Sequence, residues 1–267
     1  MFPDLLSIGS FTIHGYGLCI AIGVIAAYLM SSCRARLAGY NEDMITSILL
    51  CFLGGGFIGS KLLYALTQVI RGELNFRMFF DLNNGYVVYG FMLGGILAMY
   101  ILCRVKKADI LAYLDLIMPA VALAQGFGRI GCFLAGCCYG LETESALGVM
   151  FPHNSIAPSE VKLFPIQLVF SFLDFILFGI LIFISARKHI GNREIQKGEV
   201  TVFYFLLYSI GRFILEYFRG DAERGRIGIF STSQIISLCV FAVSVALMVM
   251  LQNGTVKGRI KKPRGDD

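Results

Sequence analysis

Apolar residues in this chain fall into seven long runs, not into alternating or heptad stripes. The runs cover about 15–32, 44–68, 85–103, 109–126, 164–186, 199–217 and 231–251. Each is near the roughly 20 residues a helix needs to cross a bilayer core. In hydrocarbon a helix satisfies its own backbone groups, and sustained apolar runs of this length are read as such helices. The pattern predicts an all-α polytopic membrane protein with about seven transmembrane helices. Two connections are longer than turns, at about 69–84 and 127–163. The second opens glycine-rich, and Gly128, Gly131, Gly136 and Gly140 predict a non-helical path there. No linker, repeat or low-complexity tract interrupts the chain. One transmembrane domain is expected over 1–256, followed by a basic tail over 257–267.

Composition agrees with the pattern. The chain is 57% hydrophobic and 15% charged, with mean hydropathy +0.72; soluble domains carry about 25% charge. A large soluble domain is thereby excluded. No cleavable signal peptide is visible, since the first run begins near Tyr16 without a basic flank. Seven crossings put the termini on opposite sides, and the basic residues choose which. Arg34 and Arg36; Arg104, Lys106 and Lys107; Arg187, Lys188, Arg193 and Lys197; and Lys257, Arg259, Lys261, Lys262 and Arg264 share one side. They are fourteen of the 23 Lys and Arg. By the positive-inside rule the C-terminus is cytoplasmic, the N-terminus outside, and a small loop region lies on the outer face. The membrane is the expected partner surface, and nucleic acid is not.

The remaining basic residues carry the chemistry. Lys61 lies within a span, while Arg71, Arg77, Arg129, Lys162, Arg212, Arg219, Arg224 and Arg226 fall outside. Seven of those eight are arginine, the better phosphate clamp because its planar fork makes paired hydrogen bonds. Snorkelling at span ends is the plain alternative for any one of them. Arg212, Glu216 and Arg219 are spaced four and three apart and share a helix face. Two cations against one carboxylate leave charge for a ligand; an ion network that merely braces the helices is the structural alternative. His14-Gly15-Tyr16-Gly17 opens the first span, and Tyr86 to Gly95, including Tyr89 and Gly90, opens the third. Gly55 and Gly59 form a small-residue packing motif. Of eight cysteines, most read as small apolar fillers. Cys132, Cys137 and Cys138 leave a disulfide or a metal open, but the spacing lacks a paired Cys-x-x-Cys. No metal and no cofactor are expected.

These motifs together resemble the prolipoprotein diacylglyceryl transferase family. The likeness runs nearly end to end. It includes Met1-Phe2-Pro3-Asp4, Ile8-Gly9 and Tyr16-Gly17, then Gly128-Arg129-Ile130-Gly131 through Gly140. It continues with Pro165-Ile166-Gln167-Leu168, Gly211-Arg212 through Glu216 and Arg219, and Ser233-Gln234-Ile235-Ile236-Ser237-Leu238. The resemblance implies an enzyme of the bacterial inner membrane that uses phosphatidylglycerol and the signal-peptide region of a prolipoprotein with its lipobox cysteine. It would form a diacylglyceryl thioether and release glycerol phosphate. By motif position it implies that Arg129 and Arg212 hold the phosphate in the catalytic step, with Glu216 and Arg219 supporting them, and it places Tyr16 and Gly140 in the site; Tyr89 is a catalytic candidate apart from the motifs. Substrate contacts would come from Arg129, Gly140, Glu216, Arg219, Gly90, Lys61 and Gln167. The chain departs from the family pattern at Cys132 and Ala135, where asparagines are usual, and at Cys137, where glutamate is. Tyr89-Gly90 replaces a His-Gly-Gly, and Val169-Phe170 a Tyr-Glu. His14 and Tyr89 remain as candidates for the base. A divergent relative with another acceptor, using the cysteine trio, and a non-enzymatic lipid-binding protein are the competing readings.

Overall fold

Seven helices form where the apolar runs predict them. In a computed structural model they are α1 Gly15–Leu37, α2 Glu42–Arg71, α3 Val88–Val105, α4 Ile110–Ala135, α5 Ile166–Ala186, α6 Glu199–Leu215 and α7 Thr232–Gln252. The structure describes residues 4–8, 11–71, 85–153, 155–187, 189–190, 193–194, 196–221 and 225–253. All seven, with α6 extended by a 3-10 turn to Phe218, are long and apolar enough to span a membrane. Their surfaces are inverted relative to a soluble protein. Leu29, Ile58, Leu93 and Phe172 are exposed, whereas Gln167, Glu199, Glu216, Ser60 and Ser209 are buried. The chain is a multi-pass membrane protein.

Local chemistry explains the helix ends. Ser231 caps α7 in a reciprocal capping box with Gln234. The start of α6 takes its cap from another helix: Asp115 on α4 accepts hydrogen bonds from Gly198 N at 2.6 Å, Thr201 N at 2.9 Å and Thr201 Oγ1 at 2.6 Å. A carboxylate there also complements the helix dipole. The glycine-rich stretch departs from expectation. α4 runs straight through Arg129, Gly131 and Cys132 and stops only at Gly136, whose φ is +71°. Isolated glycines weaken a helix without breaking it. At Gly131 the missing side chain is used for packing, since a Cβ there would stand 3.2 Å from Tyr16 Cδ2 and 3.1 Å from Cys19 Cβ of α1.

Short antiparallel hairpins decorate the connections. They pair β1 Asp4–Ile8 with β2 Phe11–His14, β3 Val149–Met150 with β4 Lys162–Leu163, β5 His189–Ile190 with β6 Arg193–Glu194, and β7 Arg226–Ile227 with β8 Phe230–Ser231. The connection from α4 to α5 has its own small core of Phe151, Ala157 and Leu163, against which Phe133 and Tyr139 pack.

Contacts divide the chain into two units. One comprises Met1–Leu29 and Leu114–Asp267, and it holds α5, α6, α7 and most of α1 and α4. Its core joins Ala122 of α4, Leu177 and Leu181 of α5, and Val200 and Tyr204 of α6. The other, Met30–Tyr113, is dominated by the antiparallel pair α2 and α3. There Gly55 and Gly59 face Gly90 and Gly94 so closely that a Cβ on any of the four would collide with the opposite helix.

Candidate active site

The ends of α4, α5, α6 and α7 within the first unit bring three arginines together. Arg129, near the end of α4, lays its guanidinium over the Phe170 ring of α5 at 4.7 Å. Arg212 of α6 approaches the same ring at 5.2 Å. Phe170 is buried, so one aromatic ring orients two cations through its π face. Their electrostatic surroundings differ. Among the described residues Arg129 has no carboxylate partner within ion-pair distance. Arg212 Nη2 is 3.2 Å from Glu216 Oε2 and donates to Ser233 Oγ at 3.2 Å, while its buried Nη1 has no hydrogen-bond partner.

Arg219 is committed elsewhere. Its Nη1 lies 3.8 Å from Glu216 Oε2, and its Nε and Nη2 reach the two oxygens of Asp221 at 3.2 and 3.0 Å. Burial pushes the Asp221 carboxyl up, with Arg219 opposing the shift. Glu216 is held a third time, accepting from Ser231 Oγ at 3.1 Å. The ladder of two cations and one carboxylate thus gains a second carboxylate in Asp221, and among the described residues Arg129 is the arginine of the three that forms no salt bridge. Arg219 and Glu216 fix Arg212 in place.

A cavity of about 140 Å³ opens between α5 and α6, lined by Phe170, Asp174, Leu177, Tyr208, Arg212 and Leu215 among others. Asp174 is 4% exposed, and its Oδ2 has no hydrogen-bond partner. It interacts electrostatically with Arg129 and Arg212 while forming a salt bridge with neither. The sequence reading passed over Asp174, although an acidic residue in the middle of an apolar span is a signal in its own right.

Beside the arginines stand three thiols. The Sγ atoms of Cys132, Cys137 and Cys138 all lie within 4.8 Å of one another. Cys138 has φ +58°, a left-handed conformation uncommon outside glycine and asparagine. The segment is held on both sides. Gln167, fully buried at the start of α5, donates to Cys137 O at 2.9 Å. Gly140 N donates to Phe164 O at 3.1 Å, Leu141 N to Phe218 O at 3.0 Å, and Gly220 N to Tyr139 O at 3.1 Å. Gly140 thus pairs with Arg219 as an isolated bridge, and a Cβ there would strike Phe164 O. Hydrogen bonds from Cys132 and Cys137 hold the Cys138 thiol well below its ordinary range, helped by the charge of Arg219. Cys137, which shares those hydrogen bonds, is pushed up. Tyr16, on the first turn of α1, is close enough to interact with all three thiols and with Arg129.

Of the residues expected from sequence, Arg129, Arg212, Glu216, Arg219, Gly140, Gln167 and Tyr16 gather in this one unit. Lys61, Tyr89 and Gly90 belong to the other. Lys61 Nζ sits 4.3 Å from the Tyr86 ring centroid, and Tyr89 is exposed. Gly90 is taken up by helix packing, because a Cβ on it would stand 2.8 Å from Leu63 Cβ and 2.9 Å from Ser60 Cα. Arg77, Asp81, Arg224 and the tail 257–267 lie outside the described residues. Phe170, Asp174, Asp221, Ser231 and Ser233 were missed. Phe170, Ser231 and Ser233 become visible only once distant segments meet, whereas Asp221 stands two residues from Arg219.

Comparison with protein-family models matches residues 3–250 to "Prolipoprotein diacylglyceryl transferase". The chain belongs to the prolipoprotein diacylglyceryl transferase family. It is 42% identical to a phosphatidylglycerol--prolipoprotein diacylglyceryl transferase of Clostridium tetani, over 92% of this chain and 96% of that protein. Clostridium perfringens has two similar proteins of this family. The transferase named 2 is 41% identical over 88% of this chain and 90% of its own length; the one named 1 is 31% identical over 96% and 97%. Membership in the transferase family agrees with the seven spans.

Proposed function

We propose that this chain transfers the diacylglyceryl group of phosphatidylglycerol to the lipobox cysteine thiol of prolipoproteins, forming a thioether and releasing glycerol phosphate. The observation that carries the reading is the pair Arg129 and Arg212 on one aromatic ring. Among the described residues, one forms no salt bridge and the other keeps a buried N–H group without a hydrogen-bond partner. The names of the relatives supply the two substrates.

In this reading the phosphodiester lies between Arg129 and Arg212. As the bond from the glyceryl carbon to oxygen breaks, negative charge collects on the departing phosphate, where positioned N–H donors stabilise it most. Glu216, Ser233 and the Glu216–Arg219–Asp221 chain act as positioning residues by fixing the Arg212 fork. Asp174 offsets part of the arginine charge without occupying the N–H groups. In this reading the arginine cluster faces the outer half of the membrane, the orientation that the positive-inside count favours, and the acceptor thiol enters beside Tyr16 and the three cysteines.

The test is a transfer assay with purified protein, phosphatidylglycerol and a lipobox peptide, read by mass spectrometry. The expected result is a peptide heavier by one diacylglyceryl group, with glycerol phosphate in equal amount. Phosphatidylglycerol binding without either product would overturn the transferase reading and leave a lipid-binding protein.

A further inference from the structure

We propose that Cys132, Cys137 and Cys138 form a three-thiolate site for a divalent cation of the zinc class, with its fourth position open to the acceptor thiol. The second half of the proposal rests on the transferase reading above; the first does not.

Three sulfurs within 4.8 Å of one another fit a single thiophilic ion. Zinc–sulfur bonds near 2.3 Å in a tetrahedron put sulfurs about 3.8 Å apart, so small side-chain rotations close the site. Filler cysteines would have no reason to converge. Here they come from three backbone settings: Cys132 from the last turn of α4, Cys137 from the turn after Gly136, and Cys138 from a left-handed conformation. Gln167 and the backbone bonds to Phe164, Phe218 and Gly220 hold that loop in place. Three thiolates on a divalent cation carry one net negative charge, and the guanidiniums of Arg129 and Arg219 both lie within electrostatic reach to offset it. Thiolate donors select zinc over harder cations, and three protein ligands with one open position is the arrangement of catalytic zinc.

The site answers a chemical need. A free thiol near pKa 8.5 is a weak nucleophile at neutral pH, and a thiol bound to zinc is deprotonated outright. The acceptor thiol binds the ion and releases its proton to solvent. Its sulfur then attacks the glyceryl carbon; the C–S bond forms, the C–O bond breaks, and the electron pair leaves on glycerol phosphate. The thioether is a poorer ligand and departs, with the metal unchanged in oxidation state. Arg129 and Arg219 both lie within electrostatic reach of Cys138, which couples this site to the phosphate clamp.

The experiment uses the full chain purified with phosphatidylglycerol in detergent. Metal analysis is expected to give one zinc per chain, removable by chelator. Reloading with Co2+ should produce thiolate charge-transfer absorption, changed by a peptide carrying the acceptor cysteine and not by its serine version. Cys137→Ser and Cys138→Ser should lower bound zinc at least tenfold. Because such variants can misfold, wild type carries the decision. Three thiols that titrate free in the presence of Zn2+, or an intact mass lower by two hydrogens from a disulfide, overturn the site. Transfer at full rate by metal-stripped protein overturns the role of the open position while leaving the transferase reading intact. Stoichiometric zinc with no thioether formed sinks the transferase reading and leaves the metal site standing.

Discussion

The α2–α3 pair and the cluster at the ends of α4 to α7 use a similar set of small, aromatic and polar residues for opposite ends. Where α2 crosses α3, backbone meets backbone at Gly55, Gly59, Gly90 and Gly94. Ser60 both donates to Val87 O at 3.0 Å and accepts from Val87 N at 2.8 Å, and Phe91 packs edge-on against Phe52 and Phe57. At the other cluster, among the described residues, Arg212 Nη1, Asp174 Oδ2 and Gln167 Oε1 are buried without hydrogen-bond partners, whereas α2 has one such atom, Gln68 Oε1, well beyond the glycine crossing. Polar groups left unmet in a membrane protein cost several kcal/mol each, so they persist where function requires them. The first region is built for adhesion, the second for a charged ligand.

If that contrast is right, the largest effect of any substitution falls on the arginines. Arg129→Ala should lower the rate of transfer by roughly 10²–10³-fold, the range for removing one charge-stabilising donor. Thermal stability should fall less than activity, because among the described residues Arg129 forms no salt bridge and the buried Asp174 carboxylate keeps Arg212 as a second cation within reach. Arg129→Lys should recover part of the rate, as a point charge without the fork. An Arg129→Ala enzyme with wild-type rate would dissolve the contrast from the functional side. The converse experiment is Gly59→Leu. Forcing a branched side chain against Gly90 O and Gly94 Cα should cost about 1–3 kcal/mol as overpacking, read as a lower unfolding temperature in detergent. Turnover per folded molecule should be preserved. Equal loss of turnover at unchanged stability would mean that the α2–α3 crossing does more than adhere.

How much of this was legible in the sequence follows the same division. The spans were readable because a run of twenty apolar residues has few physical alternatives. Gly55 and Gly59 were readable as packing because of their four-residue spacing. Arg212, Glu216 and Arg219 were readable as neighbours from their spacing, although only Arg212 lies on α6, with Glu216 in the 3-10 turn and Arg219 in the extended residue after it. What could not be read is what other segments bring. Ser231 and Ser233 arrive from α7, and Phe170 becomes a platform only when α4 and α6 flank α5. The course of α4 through Gly131 was misjudged for a related reason. Its glycines suggested a loop, but the close approach of α1 at Tyr16 and Cys19 gives a helical glycine its use. Asp221, two residues beyond Arg219, is the carboxylate that the ladder lacked.

The smallest effect expected is also the sharpest, because it lies where folding and function share one atom. Ser231 Oγ accepts from Gln234 N at 3.2 Å, capping α7, and donates to Glu216 Oε1 at 3.1 Å. Ser231→Ala removes both, and losing the cap should cost about 1 kcal/mol of stability. Ser231→Asp separates the two roles. Its carboxylate restores the cap and favours the helix N-terminus, yet it sets a like charge beside Glu216. The unfolding temperature should therefore return toward wild type in Ser231→Asp while transfer falls below that of Ser231→Ala. Glu216 would be pushed off Arg212, and the fork that holds the phosphate would lose its alignment. If both variants instead lose stability and rate in parallel, Ser231 serves α7 alone, and Glu216 does not need it to hold Arg212.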